Sequence, residues 1–188
     1  MIVGAILTQN TNWANVTRAL DNLKRAKLLS PKKMGGLEAG ELSEYIRPAG
    51  YFRQKSRTLM EFLRFLRADY GGDLEKMLAS GRENLREGLL GVRGIGPETA
   101  DSIVLYAGHY PIFVVDAYTG RIFRCQGLIA EKASYGEVQE MVMASLEPDE
   151  RFFNEFHALL VRLGKTHCRK VPRCEGCPII RDRVFSIS

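Results

Sequence analysis

The stretch 89–116 constrains the fold of this chain more than any other part of the sequence. Gly94 and Gly96 lie between apolar runs, and Pro97 follows where a new helix should begin, a position at which its missing N–H does no harm. The pattern predicts a helix, a tight hairpin and a second helix within 89–108. Glycines there allow φ > 0 and a close approach to a large anion, so the hairpin N–H groups can bind a phosphate of a nucleic acid. By itself, Gly-x-Gly is also typical of an ordinary turn between packed helices.

The residues after the hairpin lead to a single carboxylate. The second helix carries one apolar stripe that should be buried, which leaves the helix N-terminus accessible. This stripe consists of Ala100, Ile103, Val104 and Ala107. After Gly108 the chain continues as an extended apolar loop that ends at Asp116, where the next helix should begin. We therefore expect one carboxylate a short distance from one phosphate-binding hairpin.

Length, composition and charge are compatible with a globular protein that binds a polyanion. A chain of 188 residues with 45% hydrophobic content can bury a core, as one domain or two small lobes. Lys and Arg exceed Asp and Glu by 27 to 22, which gives a net charge of +5. This charge is only a modest indication of a polyanionic partner, because many soluble proteins are as basic. No apolar run approaches the roughly 18 residues of a membrane span, and no signal-peptide pattern opens the chain. We expect a cytoplasmic, nucleoid-associated protein without a membrane partner.

The rest of the chain has helical periodicity, which predicts an all-α fold of about ten short helices. Glycine pairs bracket helices near 38–47 and 51–70. The second of these has one apolar face, and its basic residues are assigned to the solvated face. Those basic residues are Arg53, Lys55, Arg57, Arg64 and Arg67. Further on, Ser134 and Glu137 predict a capping box. A last apolar stripe is formed by Phe152, Phe153, Phe156, Leu159, Leu160 and Leu163.

These features resemble the helix-hairpin-helix-GPD base-excision DNA glycosylases, in particular the endonuclease III-like members. The matching positions lie in the hairpin, in the loop after it and in the helix that follows. They are Val92, Gly94, Gly96, Thr99 and Ala100, then Gly108, Pro111, Val115 and Asp116, then Arg121 and Arg124. The resemblance extends from the opening segment GAILTQNT to the cysteines near the C-terminus, so it covers almost the whole chain.

The resemblance implies two helical lobes and a function in DNA repair. A helical barrel would occupy residues 1–110 and include the hairpin, and a C-terminal lobe with the catalytic Asp and a cysteine loop (168–177) would occupy 111–188. Double-stranded DNA with a damaged base would cross the cleft where the hairpin and Asp116 meet, and we expect a monomer. The chain opens inside a predicted helix, whereas members of the family have an extra N-terminal segment, so we expect a shortened chain.

Asp116 matches the catalytic aspartate of the family. Cleavage of an N-glycosidic bond places positive charge on the sugar, which a nearby carboxylate stabilises while it orients or deprotonates the attacking water. The alternative is a plain helix N-cap, a role that is compatible with the catalytic one. The resemblance assigns DNA contacts to the hairpin and to the helix after Asp116. The residues concerned are Arg93, Gly94, Ile95, Gly96, Thr99 and Arg121.

Three residues near the N-terminus are candidates for contact with the lesion. In glycosylases of this kind the Gln of the opening segment enters the duplex where the target base has left it, and the resemblance gives this role to Gln9. Alternatively, Gln9 and Asn10 cap a helix end. Asn10 and Trp13 are candidates for the base pocket. Spacing alone favours a core position for Trp13, whereas in the branch that removes alkylated bases an aromatic at this place stacks on the flipped base.

Glu98 is the informative departure from the family. Bifunctional members, which also cut the strand, have a lysine there whose amine forms a Schiff base with the sugar. A carboxylate cannot form an imine, so the sequence predicts a monofunctional glycosylase; Glu98 itself complements the helix dipole. Monofunctional chemistry suits alkylated purines, which are good leaving groups, while mismatched or oxidised bases remain open. A bifunctional enzyme that uses another amine and a non-catalytic DNA-binding module are the alternatives.

Cys168, Cys174 and Cys177 resemble three of the four cysteines that hold a [4Fe-4S] cluster in endonuclease III. The fourth family position is Arg183 here, and Cys125 is expected to lie far from the loop. Three interpretations stay open: a cluster with an open or substituted iron, a zinc site completed by His167, or no metal. Any metal would be structural and would shape a basic loop for phosphate contact. The basic residues of that loop are Lys165, Arg169, Lys170 and Arg173.

Overall fold

The structure is a computed structural model that describes residues 1–169 and 171–180. This part of the chain is helical and contains no strand, which confirms the all-α prediction. It divides into two compact units, one of residues 1–110 and one that begins at Pro111. None of its helices is long and apolar enough to cross a membrane.

The first unit, residues 1–110, contains eight α-helices and one 3-10 turn. They are α1 (Ile2–Thr8), α2 (Trp13–Arg25), α3 (Pro31–Met34), α4 (Ala39–Tyr45), the 3-10 turn (Arg47–Ala49), α5 (Phe52–Tyr70), α6 (Leu74–Leu78), α7 (Arg82–Gly91) and α8 (Pro97–Tyr106). The second unit has α9 (Ala117–Cys125), α10 (Tyr135–Ser145) and α11 (Glu150–Thr166). Helices α4 and α5 lie where the glycine pairs predict them, and Ser134 and Glu137 form the predicted capping box.

The core of the first unit is built around α5. Its predicted apolar face is buried at Leu59, Phe62 and Leu66, against apolar residues of neighbouring helices. Helices α7 and α8, which flank the hairpin, are joined by a bidentate ion pair between Arg86 and the fully buried Asp101, with an Nε–Oδ1 distance of 2.6 Å. This pair fixes the two arms of the helix-hairpin-helix motif against each other.

The assignment of Lys55 to the solvated face of α5 is wrong. Its side chain is 2% exposed, and its ammonium donates hydrogen bonds to the carbonyls of Leu7 at 2.9 Å and Ala49 at 2.7 Å. Burial lowers the pKa of this ammonium. Leu7 lies near the C-terminal end of α1, where carbonyls lack helical partners, and this supply of acceptors explains why a lysine is stable there. The other four basic residues assigned to that face are exposed.

The second unit has an aromatic core. Phe113 is fully buried, stacks parallel to Phe123 at 6.4 Å between ring centroids, and meets Phe153 edge-on at 5.9 Å. The predicted stripe on α11 is only partly buried, because Phe152 and Leu159 lie on the outer side and are 47% and 54% exposed.

Helices α9 and α11 pack closely where a glycine faces an aromatic ring. A Cβ added at Gly164 would lie 2.7 Å from ring and Cβ atoms of Tyr118, so only glycine allows this separation of the two helices.

Candidate active site

The hairpin adopts the predicted conformation, with different roles for its two glycines. Gly94 has φ = 94°, and a Cβ there would collide with the side chain of Thr58. Gly96 is the N-cap of α8 with φ = −99°, so it does not need a left-handed conformation. A Cβ at Gly96 would meet nothing within 4 Å, and the residue is exposed. Gly94 is therefore required by the fold, whereas Gly96 leaves open space in front of the N-terminus of α8.

Around the hairpin the predicted DNA contacts separate into exposed and buried groups. Arg93, Gly94 and Gly96 are exposed, as is Glu98 in the first turn of α8. Ile95 is 5% exposed and its N–H bonds to the carbonyl of Val92, so its side chain anchors the hairpin in the core. Thr99 is also buried.

The side chain of Gln9 is bound to the hairpin. Its Nε2 donates to the carbonyl of Gly94 and to Oγ1 of Thr99, both at 3.0 Å. Gln9 follows the last residue of α1, the helix whose end is held by Lys55, so the opening segment and the hairpin form one connected surface. The structure thus brings together three of the predicted DNA-binding residues.

Asn10 and Trp13 are both exposed. Asn10 has φ = 52°, a left-handed conformation that Asn tolerates better than most residues. Trp13 is the first residue of α2 and is 53% exposed, so the core position favoured by spacing is wrong for most of its ring. One ring edge packs on Gly4, where an added Cβ would lie 3.5 Å away. The ring also lines a largely apolar cavity of about 620 Å³ in the first unit.

In the second unit, Asp116 is the N-cap of α9. Its Oδ1 accepts hydrogen bonds from the backbone N–H of Thr119 at 2.7 Å and from Oγ1 of Thr119 at 2.9 Å. The side chain is 11% exposed, and the other oxygen, Oδ2, lies 3.6 Å from Nε2 of His157. The carboxylate is thus fixed through one oxygen, while the second has a histidine beside it.

The surroundings of Asp116 favour its ionised form. Burial raises the pKa of this carboxyl, but the His157 ring and the bonds from Thr119 lower it by more, so its pKa lies below the ordinary value. The distance of 3.6 Å between Nε2 of His157 and Oδ2 of Asp116 is longer than that of a good hydrogen bond. The two hydrogen bonds from Thr119 therefore fix the position of the carboxylate.

His157, which lies beside Asp116, has no functional role among the sequence-based predictions. It lies on α11 four residues after Phe153 and three before Leu160, both of them buried. That spacing places it on the inner face of the helix and was the available signal.

All four cysteines line one small cavity of about 10 Å³ in the second unit. The expectation that Cys125 lies far from the loop is wrong: it is the last residue of α9 and faces Cys168, Cys174 and Cys177. Burial raises the pKa of the Cys168 thiol, and the neighbouring Cys125 raises it further. None of the four is in a disulfide. His167 lines the same cavity, and Arg183 and Lys170 lie outside the described residues.

Arg121, predicted to bind DNA, makes its contacts within the protein. Its Nη1 donates to the carbonyl of Cys168 at 2.8 Å, and its guanidinium lies over the ring of Tyr118 at 5.4 Å. Arg121 therefore connects α9 to the cysteine loop.

Within residues 1–169 and 171–180, no three His, Cys, Asp or Glu side chains are arranged as a ready set of ligands for one metal ion.

Comparison with known proteins identifies the family. Residues 3–148 match the model of the HhH-GPD superfamily of base excision DNA repair proteins. The chain is 45% identical over 181 residues to "Putative DNA repair glycosylase MJ1434" of Methanocaldococcus jannaschii, which covers 95% of this chain and 82% of that protein.

Solved structures agree. The H. pylori 3-methyladenine DNA glycosylase bound to 1,N6-ethenoadenine has a TM-score of 0.75 and 30% identity, over 87% of this chain and 83% of that one. An endonuclease III trapped covalently on DNA has a TM-score of 0.83 and 24% identity, over 96% and 80% of the two chains, and it supports the fold alone. The sequence-based prediction is thus confirmed: the chain belongs to the HhH-GPD superfamily of base excision DNA repair proteins, as a DNA glycosylase.

Proposed function

We propose that this chain is a monofunctional glycosylase that extrudes an alkylated purine from double-stranded DNA and hydrolyses its N-glycosidic bond, leaving an abasic site. The observation that carries the proposal is the state of Asp116: a carboxylate held at the start of α9 by Thr119, with a pKa below its ordinary value. Positive charge develops on the deoxyribose as the bond breaks, and an ionised acid fixed before the reaction stabilises that charge without reorganising.

The chain's other residues have supporting roles in this proposal. The N–H groups at Gly94 and Gly96 bind a phosphate of the strand at the positive end of α8, with Arg93 beside them. Gln9 enters the space left by the extruded base, for which it must give up two hydrogen bonds, each worth about 1 kcal/mol. We take the protein to act as a monomer in the cytoplasm, at the nucleoid.

The absence of lyase chemistry follows from Glu98. This residue is exposed in the first turn of α8, at the family position of the Schiff-base lysine, and it has no amine to attack the sugar. Hydrolysis by water, with Asp116 orienting it, is then the complete reaction.

An alkylated purine is favoured by Trp13. A half-exposed indole beside an apolar cavity can stack on a flat base, and a methylated purine with a positive charge adds a cation–π attraction. The 30% identity to an H. pylori 3-methyladenine glycosylase supports the same substrate class. We expect Trp13→Ala to slow release of 3-methyladenine by about 5- to 150-fold, since stacking contributes about 1–3 kcal/mol, while Trp13→Phe retains most activity.

The decisive experiment is base release from a panel of lesion duplexes by the wild type, Asp116→Asn and Asp149→Asn. Both acids are helix N-caps, and Asn is as good a cap as Asp, so both variants should fold. We expect Asp116→Asn to lose at least about 100-fold in single-turnover rate, and the exposed Asp149→Asn to match the wild type. Equal rates in all three proteins would refute the assignment of Asp116, and no release from any lesion would favour the non-catalytic DNA-binding module.

Borohydride trapping on abasic DNA separates the bifunctional alternative. We expect no covalent adduct with the wild type and an adduct with Glu98→Lys, in which the family amine is restored. A wild-type adduct would overturn the monofunctional proposal.

We also propose a [4Fe-4S] cluster as a structural cofactor of the second unit. Its support is the donor set: four cysteine thiols around one cavity, the number and type of ligand that such a cluster takes. When bound, the cluster would hold the three cysteines of the loop of residues 168–177 in one arrangement. Residues Cys168, Cys174 and Cys177 would hold it, and Arg121 supports their loop through the carbonyl of Cys168.

A further inference from the structure

We propose that Cys125, the last residue of α9, is the fourth protein ligand of the cluster and takes the place of the cysteine missing at position 183. The inference rests on the cluster proposed above, but not on the proposed glycosylase activity. It assigns a site made by one helix thiol and three loop thiols, in which the helix that begins at Asp116 supplies a ligand at its other end.

The first observation is the shared cavity. Cys125 lines it together with Cys168, Cys174 and Cys177, although at least 43 residues of sequence separate it from them. The thiols of Cys168 and Cys177 are buried and those of Cys125 and Cys174 are half-buried, so the site has an inner and an outer side.

The second observation is independent and concerns the orientation of α9. Arg121 precedes Cys125 by four residues, so the two side chains lie on the same face of the helix. Arg121 donates at 2.8 Å to the carbonyl of Cys168, which shows that this face is directed at the cysteine loop. A ligand at Cys125 therefore needs no rotation of α9.

The type of metal is inferred from the donors, since four cysteine thiols are the ligand set that a [4Fe-4S] cluster takes. Within the described part of the chain no three His, Cys, Asp or Glu side chains are placed to hold a metal ion as they stand, so binding requires the thiols to move. One zinc ion, with Zn–S bonds of about 2.3 Å, would need four thiolates within about 4 Å of one another. A [4Fe-4S] cube binds each thiolate at a different iron and keeps the sulfurs farther apart. The cavity holds about 10 Å³, so the exposed loop must move outward as the thiols lose their protons and bind.

The test measures the cluster itself in full-length protein purified or reconstituted anaerobically. We expect about four irons per wild-type chain and absorbance near 400 nm that survives mild oxidation. In Cys125→Ser the iron at that corner loses its thiolate, so oxidation should release it and leave about three irons and the EPR signal of a [3Fe-4S] cluster. His167→Ala, which alters the other candidate ligand lining the cavity, should behave as the wild type.

A measurement on the unmodified protein covers the case in which Cys125→Ser does not fold. Thiol alkylation mapped by mass spectrometry should spare Cys125 in the cluster-loaded protein and label it after the cluster is chelated away. Equal labelling of Cys125 in both states, or an intact oxidation-resistant cluster in Cys125→Ser, overturns the assignment and leaves the cluster. A wild type that binds no iron after reconstitution overturns both, and neither result bears on base release.

Discussion

At the residue scale, the proposed chemistry depends on how one carboxylate is kept charged in a mostly buried place. Burial opposes ionisation of Asp116, and Thr119 and His157 more than compensate for it. These contacts also contribute to stability, because a group whose pKa is lower in the folded state than in the unfolded state favours folding while it is ionised.

We predict that Asp116 stabilises the fold at neutral pH and loses this effect in acid. The contribution is complete above the unfolded pKa of about 3.9 and disappears as the pH falls through the lower folded value. Urea unfolding of the wild type and Asp116→Asn from pH 7 to pH 3 should therefore give a difference in unfolding free energy that shrinks below about pH 4. A difference that grew on acidification would mean that the pKa is raised.

Lys55 is the second residue whose environment is informative. We predict that Lys55→Met lowers the free energy of unfolding by about 2 kcal/mol, because it leaves two buried carbonyls without their donor, each at a cost of about 1–3 kcal/mol, while relieving the burial of a charge. The matched control is Arg57→Met, an exposed position on the same helix, with an effect within about 0.5 kcal/mol. Similar losses in the two variants, measured by denaturant unfolding, would contradict a stabilising role for the bonds from Lys55 to Leu7 and Ala49.

At the element scale, the helix-hairpin-helix motif separates a folding requirement from a binding requirement. The two glycines look equivalent in the sequence, but only Gly94 has a positive φ. Only at Gly94, too, would an added Cβ collide with a neighbour, the side chain of Thr58. Gly96 has an ordinary φ and open space in front of it.

We predict opposite effects for alanine at these positions. Gly94→Ala should lower the free energy of unfolding by at least about 1–2 kcal/mol, from a strained φ and a collision. Gly96→Ala should cost less, no more than about 1 kcal/mol, because alanine is a poorer N-cap than glycine but meets no collision. It should also weaken binding to duplex DNA, because the added methyl group occupies the space in which a phosphate would approach. Thermal unfolding and fluorescence anisotropy with labelled duplex measure the two effects; unchanged affinity in Gly96→Ala would remove the hairpin from the interface.

At the scale of the whole molecule, the sequence predicts what depends on local pattern and misses what depends on tertiary contact. Helix periodicity, the hairpin and the N-cap at Asp116 are local signals, and the structure contains them. Residue type alone predicts an exposed position for Lys55. It cannot show that two carbonyls converge on the ammonium of this residue. The approach of Cys125 to Cys168 joins segments far apart in the chain, so no spacing rule predicts it.

We predict that removing the proposed cluster loosens the second unit around the cysteine loop. Two contacts of this region, from Cys168 to Arg121 and from Gly164 to Tyr118, lie within that unit. Hydrogen exchange after chelation should accelerate in α9 and the last turns of α11 and stay unchanged in α5. Faster exchange in α5 would show that the first unit also depends on the metal.

The proposed roles of Asp116 and Cys125, at opposite ends of α9, limit how this chain can change. The acid precedes the first residue of a nine-residue helix and the thiol is its last, about 14 Å apart along the axis. One inserted residue would swing one end by about 100° relative to the other and shift it by about 1.5 Å. Surface loops generally tolerate changes in length. With the proposed roles, however, any insertion or deletion between Asp116 and Cys125 would displace one of the two groups, so the number of residues between them has to stay fixed.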